Sequence, residues 1–304
     1  QIVYSRTNHF TDYINGVLKV PESSDAMAYT PTSIKDLKAA DPMEGITLMA
    51  PPEANNQGTA NLTYPLTIPA GRRGMQPQLA VSYNSAGGSG ILGLGWNLPI
   101  SEISIDTRRG VPLYSDTLES ETYMLDGEVL VTSYTDENNG FIHLNKPTYA
   151  RKWKHRENGR VQFFPRVEGA FRRIERIGTS PKNYRWIVTD KNGTKYYYGK
   201  NSSSCLKDGN GNIAKWCLET VVDVYGNAIF YNYFEITPSS TSIKAQSAKQ
   251  ILLRNINYTG YWRNGVKTDG KYNIDFSYDT AKHDAVTSAR YGFPEANAVL
   301  LDHI

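Results

Sequence analysis

The chain has 304 residues, with 33 basic against 30 acidic side chains and a formal charge of +3, too even a balance to make nucleic acid or an anionic membrane its main partner. Its 21 Tyr, 9 Phe and 5 Trp, together with 25 Gly and 15 Pro, favour strands and turns over helices. No apolar run approaches the roughly 18 residues of a membrane helix, so no span is expected.

Residues 1–45 read as a polar leader or linker, with a short helix over 31–40 and Thr30 as its N-cap. The start at Gln1, with no basic and apolar leader, reads as a processed or trimmed end. Strands begin at Ile46-Thr47-Leu48-Met49 and resume over residues 60–68.

The strongest local signal spans residues 68–98, IPAGRRGMQPQLAVSYNSAGGSGILGLGWNL. Leu79, Val81 and Tyr83 alternate with polar or small residues, as in a half-buried strand. Beyond Asn84 the chain carries Gly87, Gly88, Gly90, Gly93 and Gly95 before Trp96, the pattern of a packed crossover that the tryptophan holds in place. Gly88-Ser89-Gly90-Ile91-Leu92-Gly93 also satisfies G-x-G-x-x-G. A dinucleotide site needs a helix on those glycines and an acidic residue about 20 positions later. Here Gly95-Trp96-Asn97-Leu98-Pro99 cannot open a regular helix, and Arg108 and Arg109 stand where the acid should be. No G-K-S or G-K-T follows either, so no nucleotide or other cofactor is expected.

Downstream, strand–turn–strand units recur at a steady spacing. Asp126-Gly127, Asn158-Gly159, Asn192-Gly193 and Gly226-Asn227 each separate two β-rich runs, which describes an antiparallel meander of hairpins. Two units, from Asp190 and from Asp223, share D-x-x-G followed by an aromatic strand, suggesting an extended, shell-like sheet. Residues 298–304 read as a strand that stops in mid-pattern, so the domain is expected to continue.

Cys205 and Cys217 lie symmetrically about Gly211. A symmetric hairpin would face them across two strands and permit a disulfide; two reduced, half-buried thiols are the other reading. Asp208, Asn210, Asn212 and Glu219 fall at EF-hand ligand positions 1, 3, 5 and 12, but Ile213 replaces the required glycine. A plain hairpin turn explains them better, and no metal is expected. The basic run from Arg151 to Arg176 is interleaved with aromatics and interrupted by Glu157, Glu168 and Glu175, as on a solvated sheet face. The five histidines are scattered, without catalytic or metal spacing.

Residues 65–96, then Arg108-Arg109-Gly110-Val111-Pro112 and Tyr123 through Leu130, resemble the SpvB-type N-terminal domain. This family occurs in virulence plasmid B proteins, in the B components of insecticidal Tc toxin complexes and in Rhs or YD-repeat proteins. The motif residues carrying the likeness are Gly71, Gly74, Tyr83, Asn84, Gly90, Gly93, Gly95, Trp96, Arg109 and Gly110.

The resemblance implies an all-β, Rhs/Tc-shell-like domain over residues 46–304, truncated at its C-terminal end. It further implies a secreted or cell-surface protein whose partners are neighbouring repeat modules or toxin subunits around an encapsulated effector. Some relatives carry a separate ADP-ribosyltransferase domain. Glu119-Ser120-Glu121 and Ser240-Thr241-Ser242 imitate its motifs, but in reversed order. The expectation is therefore a non-enzymatic scaffold, with a carbohydrate or cell-surface binding module using exposed Tyr and Trp as the alternative and surface glycan as its ligand.

Overall fold

The computed structural model describes residues 58–135, 141–143, 155–238, 247–263, 265–279 and 282–304. The leader, the helix over 31–40 and the strand at Ile46 to Met49 lie outside them. So do residues 151–154 of the basic run and the serine motif at 240–242.

Alternation in the first described segment makes a small sheet. Strands β1 (Asn61–Pro65), β2 (Ala80–Asn84) and β5 (Trp96–Asn97) pair antiparallel with β2 in the middle. Leu62 stands opposite Tyr83, which stands opposite Trp96. Between β2 and β5 the glycine-rich run forms a tight hairpin of β3 (Ser89–Gly90) and β4 (Gly93–Leu94).

The next strands are β6 (Glu102–Ile105), β7 (Tyr123–Leu125), β8 (Glu128–Thr135), β9 (Phe141–His143), β10 (Gly159–Pro165), β11 (Arg173–Gly178), β12 (Arg185–Thr189), β13 (Lys195–Tyr198), β14 (Cys205–Lys207) and β15 (Ile213–Val222). The all-β class and the succession of antiparallel hairpins agree with the sequence reading. The meander, however, also closes on itself. β15 pairs with β6 through Trp216 and Ile103, and with β13 through Val221 and Tyr196. Strands β6, β7, β8, β10, β11, β12, β13 and β15 thereby form an eight-stranded barrel.

Its interior is filled with side chains, as small barrels require. Val161, Phe163 and Pro165 on β10, and Trp186 and Val188 on β12, point inward at every second position. Tyr123, Phe163, Trp186 and Trp216 meet edge to face, with Tyr123–Trp186 centroids 4.9 Å apart and Trp186–Trp216 centroids 5.9 Å apart. Each such ring removes about 150–250 Å² from water, so at roughly 25 cal/mol/Å² this cluster is a major share of the driving force.

Beyond the barrel, β15 turns into β16 (Asn227–Ile236), which pairs along most of its length with β17 (Gln250–Arg263). β18 (Val266–Thr268) and β19 (Tyr272–Asp275) pair with successive parts of β17. Last come β20 (Ser277–Asp279), β21 (Val286–Ser288), β22 (Glu295–Asn297) and β23 (Leu300–His303). The terminal strand expected to stop in mid-pattern pairs with β20, Tyr278 facing Leu301.

Both cysteines are free. The hairpin is not symmetric about Gly211: Lys207 pairs with Ile213 and, past a bulge, Cys205 pairs with Trp216, one residue short of Cys217. A one-residue slip turns a side chain to the other face of the sheet, which removes the geometry a disulfide needs.

Candidate functional site

The glycine-rich motif is built by contacts that leave no room for side chains. At Gly95, with φ at +77°, a Cβ would sit 2.7 Å from the Asn84 carbonyl oxygen and 2.7 Å from the Tyr83 ring. At Gly90 it would lie 2.3 Å from the Trp96 carbonyl oxygen. Asn84 N–H donates to Gly95 O at 2.9 Å, and Gly87 N–H to Asn84 O at 2.8 Å. Trp96 is half-buried and packs on Tyr83 at 4.9 Å. After Gly93 the backbone runs into β4 and β5 without opening a helix, the feature a dinucleotide loop would require.

A distant segment clamps this hairpin. Lys282 Nζ donates to Gly90 O at 2.8 Å and to Asn297 Oδ1 at 2.9 Å, Asn297 Nδ2 donates to Ser89 O, and Ser89 bonds to Asp284. Leu301 N–H adds a bond to Ile91 O. Burial pushes the Lys282 ammonium below its ordinary pKa, while the Ser89 hydroxyl holds the Asp284 carboxyl below its own. Sequence reasoning missed Lys282, Asp284 and Asn297, because a contact across some 200 positions leaves no local pattern.

The other motif residues are placed separately. Gly71 and Gly74 bracket a 3₁₀ turn at Arg72–Gly74, where Gly71 N–H donates to Gln76 Oε1 at 2.8 Å. Arg109 and Gly110 follow Arg108, whose guanidinium grips Asp106 with Nε at 2.8 Å and Nη2 at 2.9 Å. Burial alone would raise the Asp106 carboxyl, but those hydrogen bonds hold it below its usual pKa. The structure thus assembles Tyr83, Asn84, Gly90, Gly93, Gly95 and Trp96 in one crossover and leaves the other four in two separate turns.

A buried charge cluster fills one part of the barrel. Arg176 on β11 donates through Nη1 and Nη2 to the two oxygens of Glu119, at 2.5 and 2.8 Å. Arg156 reaches Glu119 at 3.2 Å and also binds Glu121. Glu121 accepts from Tyr114 N–H at 2.7 Å. The Arg176 guanidinium lies 4.0 Å over the Tyr184 ring. Burial opposes both arginine charges, yet neighbouring Tyr123 and the glutamates raise their pKa values above the usual range. Both carboxylates of the E-x-E triplet are therefore held in interior ion pairs. The expectation that the basic run covers a solvated face fails at Arg156 and Arg176, which the barrel takes inside to match those glutamates.

A cleft of about 640 Å³ opens under the crossover, lined by Leu98, Glu102, Asp126, Lys215, Cys217 and Tyr233 among others. An adjoining space of about 400 Å³ shares Glu102, Lys215 and Cys217. Lys215 Nζ lies 2.6 Å from Glu295 and 3.9 Å from Glu102. Asp126 accepts from Ser101 Oγ at 3.0 Å and from Glu102 N–H at 2.9 Å, so it caps the start of β6. Burial pushes the Cys217 thiol well up, which keeps it protonated.

The Asp208 turn contains no cation cage. Asp208 Oδ1 accepts from Asn210 and Asn212 N–H at 2.8 Å each, and Oδ2 accepts from Asn212 Nδ2 at 2.7 Å. Asp223 repeats those three bonds with Tyr225 and Asn227 at the same distances. Glu219 lies away from this turn and accepts from Asn201 N–H at 3.1 Å. No cluster of three or more His, Cys, Asp or Glu side chains placed to hold a metal occurs among the described residues. Of the described tryptophans, Trp262 stacks on Tyr197 at 5.8 Å with Lys200 4.5 Å over its ring.

Fold and site define an all-β barrel domain whose glycine-rich crossover is tied to a downstream strand pair. The family model described as Salmonella virulence plasmid 65kDa B protein, SpvB, matches residues 54–269, and the chain belongs to that family. Mono(ADP-ribosyl)transferase SpvB of Salmonella choleraesuis (strain SC-B67) is 31% identical over 201 residues, covering 64% of this chain and 33% of the relative. The chain thus spans about a third of the length of the curated relatives it matches.

Among solved structures, the N-terminal domain of effector protein SpvB from Salmonella typhimurium strain LT2 is similar with a TM-score of 0.62 and 23% identity, covering 79% of this chain and 84% of that one. A chain of the Photorhabdus luminescens Tc holotoxin pore is similar with a TM-score of 0.63 and 23% identity, covering 84% of this chain and 13% of that one. A chain of the TcdB2-TccC3 structure is similar with a TM-score of 0.62 and 22% identity, covering 83% and 13%. This is a toxin-related domain. The expectation that the protein is not an enzyme is overturned, since the curated relatives are named as mono(ADP-ribosyl)transferases, although the similarity covers only a third of their length.

Proposed function

We propose that the chain is a structural domain of a secreted or surface-displayed toxin-like protein, forming part of a β-strand shell with neighbouring Rhs or YD-repeat modules or toxin subunits. The observation that carries this reading is the continuous sheet, which closes as a barrel and then runs on through β16, β17, β18 and β19. A sheet that outgrows its own barrel offers further strands a surface to pair with. The fold likeness to Tc toxin chains, in which the matched region is 13% of a much longer chain, supports the same reading. In this view residues 1–45 are a leader or linker, residues 46–304 are the shell domain, and the crossover at Gly90, Gly95 and Trp96 fixes the small sheet to the barrel. An effector enclosed by the shell would be its cargo.

The test is protease protection in the full-length protein. Removing residues 54–269 should expose an enclosed segment to digestion, whereas unchanged protection would overturn the shell reading. The alternative, a glycan-binding module, needs open aromatic faces. It gains less support, because Tyr197 and Lys200 already pack on Trp262.

A further inference from the structure

Four turns meet at one rim of the barrel, where β10 passes to β11, β12 to β13, β15 to β16 and β17 to β18. Contacts link them in series. Arg172 Nε lies 3.0 Å from Asp190 Oδ1, and Lys191 Nζ sits 5.2 Å over the Phe171 ring. Val224 lies so close to Gly193 that a Cβ there would be 2.6 Å from it, and Trp262 N–H donates to Gly226 O at 2.8 Å.

On these turns stand apolar side chains turned to solvent. Val167 is 75% exposed, Phe171 67%, Val266 65%, Val224 63% and Tyr225 56%. One exposed hydrophobic residue needs no explanation, but five on linked turns do. Acidic groups at the rim are already engaged: Asp190 by Arg172, Asp269 by Lys267 at 3.0 Å, Glu168 by Phe171 N–H at 2.8 Å, and Asp223 by the N–H groups of its own turn. Cationic side chains intersperse the apolar ones, Arg73 lying 3.9 Å over the Tyr225 ring and Lys191 over Phe171. Arg166 is exposed beside Val167.

A protein partner seats apolar groups in one continuous packed centre. Here they stand on separate tips with cations between them. The boundary between headgroups and acyl chains accepts that arrangement, since single tips enter the apolar layer while Arg and Lys remain among the phosphates. Net charge gave no hint of this, because the signal lies in the local interleaving.

We propose that this rim docks on an anionic lipid surface. Sedimentation of the full chain with vesicles of phosphatidylcholine containing about 30 mol % phosphatidylserine tests it. The expected result is binding that is absent on pure phosphatidylcholine, weakens with added salt, and falls at least about fivefold in Val167→Ser/Phe171→Ser and in Arg166→Glu/Lys191→Glu. All four residues are on the surface, and unchanged thermal melting of the variants separates lost docking from lost folding. Absence of binding to the anionic vesicles, equal binding to both vesicle types, or binding that survives both variants overturns the proposal. Those outcomes would leave an acidic protein as the occupant of the rim.

Discussion

Arg176 and Glu119, 57 positions apart in the chain, form a two-pronged ion pair inside the barrel, with both side chains withdrawn from water. Desolvating two charges costs several kcal/mol, so such a pair confers register and uniqueness more than net stability. It ties the loop carrying Glu119 to the inner face of β11. Arg176→Ala should destabilise the domain by about 3 kcal/mol in urea unfolding, because it removes both prongs of the pair and leaves the buried Glu119 carboxylate to Arg156 alone among the cations. The double variant Arg176→Met/Glu119→Leu should recover much of that loss. If the double variant is as unstable as the single one, the pair contributes more than compensation of charge.

The crossover requires glycine at some positions and tolerates substitution at others. Gly95→Ala meets both a left-handed backbone and contacts of 2.7 Å, so it should cost about 2 kcal/mol or more in thermal or urea unfolding. Gly88→Ala has open space and should lie within about 0.5 kcal/mol of the parent. Equal effects at the two sites would show that the crossover is loosely packed.

Acid should loosen the turn after β6. Asp106 is held below the ordinary carboxyl value of 3.8 in the folded state, so its contribution is fully present above that pH and is lost as pH falls through the lowered value. Asp106→Asn should therefore be less stable than the parent at neutral pH, with the gap narrowing below about pH 4. Unfolding curves of both proteins from neutral pH to about pH 3 measure it; a gap constant with pH would refute the assignment.

Because Cys205 faces Trp216, reducing agent should leave the thermal midpoint unchanged, and two thiols should titrate after unfolding. Burial raises the Cys205 thiol to about 11, so alkylation of the native protein at neutral pH should be slow. A fall of several degrees on reduction would signal a disulfide.

Much of the strand content was readable from alternation and turn dipeptides. Asp126-Gly127, Asn192-Gly193 and Gly226-Asn227 all fall between paired strands, because positive φ at the glycine suits a hairpin turn wherever it stands. The Asp208 turn has a spacing that also matches calcium ligands; Ile213 in the glycine position speaks against that reading in the sequence, and the hydrogen bonds make the turn a copy of the one at Asp223. Trp96 is half-buried, while the deepest of the described tryptophans are Trp186 and Trp216. Nothing in one strand's period tells which sheet face will become the inside of a barrel.

The division has a physical basis. Backbone torsions, side-chain alternation and turn chemistry act over a few residues, so an all-β chain of hairpins, a glycine-rich crossover and membership of the SpvB-type family are all legible in local sequence. Closure of β15 onto both β6 and β13 depends on how twist and stagger accumulate over eight strands. The burial of Arg156 and Arg176 against Glu119 and Glu121, the clamp of Lys282 on Gly90, and the register that parts the cysteines all join distant positions. No local pattern encodes them, because each depends on which surfaces the closed barrel brings within a few ångströms of one another.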